Sequence, residues 1–208
     1  MSDIESPQGV YARLLLRAEP SRGYPLWVPE PDSNLPTEYQ SKGLRVGDVG
    51  VVTEDGSFDV FFNICLPETH PLHGAYGVPA GFRQIVLHDR DISRFPFIDG
   101  PGKVVSTQSI SQRRLVAGMS ASSNTAVLSN AGLNYAFTFS SADGALLVLP
   151  EGADSYKLLN ESTFRDAALQ NGESWYDFAY STLGRTMISN DSLYLVTGCH
   201  KAKSWSLA

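Results

Sequence analysis

One nine-residue stretch holds most of the side chains in this chain that could do chemistry. Cys65-Leu66-Pro67-Glu68-Thr69-His70-Pro71-Leu72-His73 gathers one of the two cysteines, two of the four histidines and a glutamate. Zinc takes three or four nitrogen, sulfur or oxygen ligands in a tetrahedral array. His70 and His73 supply two of them, and the adjacent pair Cys199-His200 supplies two more if the segments meet. Pro71 denies the stretch a regular helix, so such a site would be built on a loop. The same residues permit a thiol nucleophile, with Cys65 activated by His70 or His73. Against both stands a plainer reading. In it the loop faces solvent, its histidines cap or hydrogen-bond backbone, and Cys65 ends a strand as a small apolar residue.

Other catalytic signatures fall short. Gly118-Met119-Ser120-Ala121-Ser122 nears the G-x-S-x-G nucleophile elbow, but Ser122 stands where the second glycine belongs and no strand-turn-helix surrounds it. There is no P-loop and no G-x-G-x-x-G. Asp48, Asp55, Asp59, Asp89, Asp91 and Asp99 are spread over strands and loops, and any β-rich chain with this many acids offers such carboxylate pairs.

The composition narrows the classes. The 208 residues carry 16 Lys and Arg against 22 Asp and Glu, a net charge of -6, and Arg113-Arg114 is the one adjacent basic pair. Phosphate neutralisation needs clustered cations, so a nucleic-acid partner is not expected. At 42% hydrophobic the chain has enough apolar surface to fold. At 18% charged, with 18 Gly and 12 Pro, it suits sheets and turns better than surface helices. The acidic start Met1-Ser2-Asp3-Ile4-Glu5-Ser6 lacks the basic region and apolar run of a signal peptide. No apolar run reaches the length of a spanning helix. Two cysteines make no disulfide framework, so the expected location is cytoplasmic, and Asn160-Glu161-Ser162 and Asn190-Asp191-Ser192 read as coincidental glycosylation patterns.

The elements that must position these residues read as mostly antiparallel sheet. Val46–Leu66 is the clearest hairpin, turning at Glu54-Asp55-Gly56. Leu133, Tyr135, Phe137 and Phe139 alternate with Asn134, Ala136, Thr138 and Ser140 after a strand at 125–128, and Ala145–Leu149 follows. Further strands are expected at 82–87, 104–110, 114–119 and 192–199. Residues 10–18 fit a strand or two helical turns equally. Residues 20–36, with five prolines, must be coil, and 88–102 read as charged and then turn-rich. Phe164, Ala167, Ala168, Trp175, Phe178 and Ala179 form an amphipathic stripe, giving one long helix near 154–183 that Gly184 stops and Gly172 could break. The expected fold is α+β, a sandwich- or barrel-like antiparallel sheet with that helix on one face. It reads as a single domain over 1–208 with a proline-rich arm at 20–36. Ser204–Ala208 looks like mid-element, which points to the N-terminal part of a longer architecture.

A resemblance adds to this. Arg22-Gly23-Tyr24-Pro25-Leu26-Trp27, Gly47-Asp48-Val49-Gly50 and Phe61-Phe62-Asn63-Ile64-Cys65 resemble the opening blocks of a family of uncharacterised fungal, basidiomycete-type proteins. Leu193-Tyr194-Leu195-Val196-Thr197-Gly198-Cys199, with Lys201 and Ser204-Trp205, is similar to that family's later block. The resemblance spans roughly 20–205. It implies an intracellular fungal protein whose relatives often continue into a further β-rich region. His200 stands where the family often has an acid. No activity, cofactor or catalytic residue comes with it.

Three functions remain as expectations. The first is a non-enzymatic binding module that takes a protein or small ligand through an aromatic surface of Tyr24, Trp27 and Trp205. In that reading the arm's aromatics are either exposed for recognition or pinned to the core. The second is a hydrolase using Cys65, His70 and His73, by thiol attack or by zinc on His70, His73, Cys199 and His200. The third is a membrane-acting, pore-forming-like module, hinted at only by the alternating strand at 133–140.

Overall fold

The computed structural model describes residues 5–107, 110–114, 125–130, 133–139, 144–189 and 191–208. In chain order the elements are α1 (Pro7–Ala18), α2 (Thr37–Lys42), β1 (Asp48–Val52), β2 (Phe58–Asn63), β3 (Ile92–Asp99), β4 (Lys103–Ser106), β5 (Ile110–Arg114) and β6 (Thr125–Asn130). Then come β7 (Leu133–Phe139), β8 (Leu146–Leu149), β9 (Ala153–Leu158), α3 (Glu161–Asp177), β10 (Leu193–Leu195), β11 (Gly198–Ala202) and β12 (Ser206–Leu207). The described strands form four three-stranded sheets, ordered β10-β1-β2, β11-β9-β3, β12-β8-β4 and β5-β7-β6. The fold is α+β and mostly β, as the sequence indicates. Each sheet keeps two edges, so none is a closed barrel.

The chain forms two compact units. The first contains Met1–Trp27, Pro96–Asp154 and His200–Ala208; the second contains Val28–Phe95 and Ser155–Cys199. Both are assembled from separated segments, which is why no linker marks them in the sequence.

In the first unit the ambiguous run at 10–18 is helical. Ser6 caps α1 by accepting a bond from the Gly9 N–H at 3.2 Å, and Pro7 occupies its first turn. Tyr11, Ala12 and Leu15 then fall on one buried face. Tyr11 and Leu15 pack with Val105 and Ala145, while Phe137, Leu146 and Val148 form a second cluster. β6 and β7 pair antiparallel from Thr125↔Thr138 to Asn130↔Leu133, and β5 pairs with β7 from Ile110↔Phe139 to Arg114↔Tyr135. β4 ends at Ser106, short of the expected 110, and most of the strand expected at 114–119 lies outside the described residues. β3 is a strand that the sequence reading took for charged, turn-rich coil. It lies at the edge of its sheet, where Pro96 need donate no ladder hydrogen bond.

The second unit is built on the β1–β2 hairpin. Gly56 turns it at φ 82°, and the Thr53 N–H closes it on the Ser57 carbonyl at 3.0 Å. Phe62 is the centre of the core: the rings of Trp175 and Phe178 meet it edge-on, each at 5.7 Å. Trp175 comes from α3 and Phe178 from the turn that continues it, so the helix is tied to the sheet by its aromatics. α3 begins at Glu161, later than the sequence reading, because 153–158 forms β9; the apolar stripe starts only at Phe164. Gly172 does not break α3. The helix winds into a π-helical turn at Phe178–Thr182 and ends at Gly184, φ 68°. Residues 82–87 are coil, not a strand. Phe82, Ile85 and Leu87 pack against the core, and the Ile85 N–H bonds the Ile64 carbonyl at 2.8 Å.

Candidate functional site

The polar side chains at the end of the β1–β2 hairpin form a buried network. Asp48 and Asn63 face each other as a cross-strand pair, and neither is exposed to solvent. Three donors converge on the Asp48 carboxylate. Tyr39 O–H and the Asn63 side-chain amide reach Oδ1 at 2.6 and 2.7 Å, and the Arg45 backbone N–H reaches Oδ2 at 2.6 Å. Burial raises the Asp48 pKa, and these donors oppose that rise. The Arg45 guanidinium lies 5.1 Å from the Tyr39 ring centroid, so a cation stands near the buried acid.

The network continues through Asn63 into the 65–73 loop. The Asn63 Oδ1 accepts from the Cys65 N–H at 2.7 Å, and the Asn63 N–H donates to His73 Nε2 at 3.1 Å. With Nε2 accepting, the ring proton sits on Nδ1 and is donated to the Pro67 carbonyl at 2.9 Å. His73 is 2% exposed and has both ring nitrogens occupied. Burial, first among the causes, pushes its pKa down, so it is held neutral. His70 caps the 3₁₀ turn Pro71–His73, its Nδ1 accepting from the Leu72 N–H at 3.1 Å. Its Nε2 lies 3.5 Å from a Glu38 carboxylate oxygen. Both histidines therefore bind backbone, but His73 is buried where the plain sequence reading put it in solvent.

Cys65 is half-buried, and burial followed by the nearby Asp48 charge pushes its thiol up to about 12. Among the described residues no hydrogen bond reaches that thiol. Its packing partner is Gly47, at φ 94°, where an added Cβ would lie 2.7 Å from the Cys65 Sγ and 2.9 Å from the Asn63 Oδ1. Only glycine fits that conformation and that space. The two blocks around 47–50 and 61–65 thus describe one local structure: a glycine under a thiol, and an Asp–Asn pair beneath a strand end. A nucleophile needs a lowered thiol pKa and a base in contact; this arrangement provides neither.

The four residues read as zinc ligands have other partners. His73 and His70 are engaged as above. The Cys199 thiol donates to the Leu44 carbonyl at 3.7 Å. His200 belongs to the first unit, its Nδ1 3.5 Å from Asp99 Oδ2. Among the described residues no three His, Cys, Asp or Glu side chains converge as a metal site.

In the first unit, Arg22 forks onto the buried Asp99: Nη1 reaches Oδ2 at 2.7 Å, Nη2 bonds Oδ1, and Nε bonds Glu19. Arg22, then burial opposing it, then His200 set the Asp99 carboxyl below its ordinary range. Gly152, at φ 80°, leaves no room for a Cβ against the Asp99 carbonyl. This clamp fixes the ribbon that carries Tyr24 and Trp27, and the three aromatics named from sequence part company. Trp27 packs on Tyr11, rings edge-on at 5.2 Å. Trp205 is half-buried. Tyr24 is 43% exposed.

The sequence reading missed the neighbours of Asp99. Phe97 is 68% and Ile98 51% exposed at the end of β3. Phe97 is the only non-glycine among the described residues with positive φ, at 53°, and the Asp154 carboxylate accepts its N–H at 2.9 Å. The available signal was the run Phe95-Pro96-Phe97-Ile98, apolar in a stretch otherwise rich in charge. Among the described residues no helix is long and apolar enough to cross a membrane. No family model matches the sequence, and no curated protein or solved structure is significantly similar to it.

Proposed function

We propose that the protein is a non-enzymatic recognition module whose contact surface in the first unit is the apolar strip of Phe97 and Ile98, with Tyr24 on the ribbon that Arg22 clamps to Asp99. The observation that carries this reading is Phe97. A bulky ring at positive φ costs about 1–3 kcal/mol. The fold holds that conformation with Asp154 and spends it on placing an aromatic face in water. Burying such a ring against a partner contributes about 1.5–3 kcal/mol. The side chains that could have done chemistry serve the fold instead: His73, His70 and Cys65 are bound or packed as described. The partner is a protein segment or small ligand with an apolar face.

The kinship with uncharacterised fungal proteins is part of the same proposal. Its quoted blocks supply Arg22, Gly47, Asp48, Asn63 and Cys65, the residues of the clamp and of the buried network. A cytoplasmic location belongs to it as well, and rests on a composition of two cysteines, too few for a disulfide framework.

The test is selection of binders from a random peptide library on the immobilised protein, followed by titration onto Phe97→Ser and Cys65→Ala. The reading predicts apolar peptides whose affinity falls about tenfold on Phe97→Ser, the loss of roughly one buried anchor, and is unchanged on Cys65→Ala. Equal affinity for wild type and Phe97→Ser, or substrate turnover that disappears with Cys65→Ala, would sink it.

A further inference from the structure

A second surface lies in the second unit, on the outer side of α3. Gln170, Glu173, Ser174 and Asp177 recur at spacings of three and four, so they share one helix face. Ser174 O–H donates to the Ala80 carbonyl at 2.7 Å and fixes the 76–80 loop beside that face. Between them runs a groove of about 510 Å³, floored by Phe178 and walled on the loop side by Tyr76 and Val78.

Its charge is one-sided. Glu173 and Asp177 stand one turn apart with like charge, an arrangement that costs an isolated helix a few tenths of a kcal/mol. Neither side chain has an ion pair or hydrogen bond to a described residue. The last turn of α3 itself carries no basic residue to offset this pair. The π-helical turn that follows adds Ser181 and Thr182 to the groove wall. Tyr76, 65% exposed, lines the groove from the 76–80 loop. Carboxylates and an aromatic ring lining one half-apolar groove complement a guanidinium or ammonium with an apolar stem.

We infer that this groove docks a basic segment of a partner protein, seating an arginine or lysine side chain between Tyr76 and the Glu173–Asp177 pair. The site does not depend on the Phe97 reading, being a different surface on a different unit.

The test is fluorescence-anisotropy titration of the intact protein in dilute salt with blocked oligo-arginine and oligo-lysine peptides, and with oligo-glutamate as comparison. Glu173→Gln with Asp177→Asn removes the groove's charge. Glu30→Gln with Glu151→Gln removes the same charge elsewhere, at exposed positions off α3. Thermal melts establish that all variants are folded. The groove variant should bind oligo-arginine roughly tenfold more weakly and the charge-matched variant less than about twofold, as expected for two specific ion pairs against screened surface charge. Tyr76→Ala should weaken it about threefold. Equal losses in the two double variants would overturn the inference, by reducing it to general attraction to an acidic chain. So would free arginine binding as tightly as the peptide, which would make the groove a small-cation pocket, or binding of oligo-glutamate.

Discussion

Asp48, Asn63 and His73 in the second unit and Phe97 in the first are all held in place by hydrogen bonds, yet to opposite ends. In the second unit, titratable and amide side chains are buried and turned on one another until their polar atoms are used. In the first, a carboxylate is used to hold an apolar ring in a strained conformation out in solvent. The residue types that usually advertise chemistry belong to the first pattern, and a phenylalanine, which advertises none, belongs to the second. The comparison teaches that a side chain's function is read from what its environment leaves unsatisfied. A buried network with every partner supplied is a stability device, whereas exposed strain persists where the surrounding structure over-determines it, and on the proposed reading a partner gains from it.

The sharpest way to break the comparison is Asp48→Ala. It strands Tyr39 O–H and the Arg45 N–H and leaves the Asn63 amide only the Val46 carbonyl, at 3.2 Å, and these losses together should cost about 3–5 kcal/mol. Urea unfolding followed by the fluorescence of Trp175, which lies in the same core, measures it. A loss below about 1 kcal/mol would place the network among ordinary surface hydrogen bonds.

Phe97→Gly should move stability the other way, by up to about 1 kcal/mol, because glycine takes positive φ without strain. A thermal melt of the variant checks this. Destabilisation would mean the ring is packed, and the contrast between the two regions would fail.

The smallest effect is in the pH profile. Burial lowers the folded pKa of His73 below its ordinary value. Its contribution to stability is therefore fully present above the unfolded pKa, about 6.5, and is lost as pH falls through the lower folded value. Asp48, whose pKa burial raises, gives the opposite slope, so the comparison must be between proteins. The melting temperature of the wild type should fall more steeply from neutral to mildly acidic pH than that of His73→Gln. Parallel profiles would show that His73 titrates alike in the folded and unfolded chain, and a less steep fall for the wild type would show that the fold favours its protonated form.

How far the sequence announced these features follows the range of the interactions. The β1–β2 hairpin was legible because Asp55-Gly56 fixes the turn locally, and α3 because its stripe repeats within one helix. The start of α3 was not, since 153–158 pairs with strands distant in sequence. β3 was hidden by Pro96, which reads as a breaker unless the strand is known to lie on an edge. The two units were illegible because each is closed by segments far apart in the chain. Of the candidate site, the histidines and Cys65 were visible as types, and their capping role was among the readings. The Asp48 pairing that absorbs them depends on register, which spacing alone does not show. Arg22 and Asp99 are 77 positions apart, and nothing local pairs them.

The measurement that bears most directly on the account is the affinity of library-selected apolar peptides for Phe97→Gly, read on protein whose melting temperature equals or exceeds that of the wild type. The account predicts a loss of about tenfold or more in a fully folded variant. Unchanged affinity in that folded variant would contradict it.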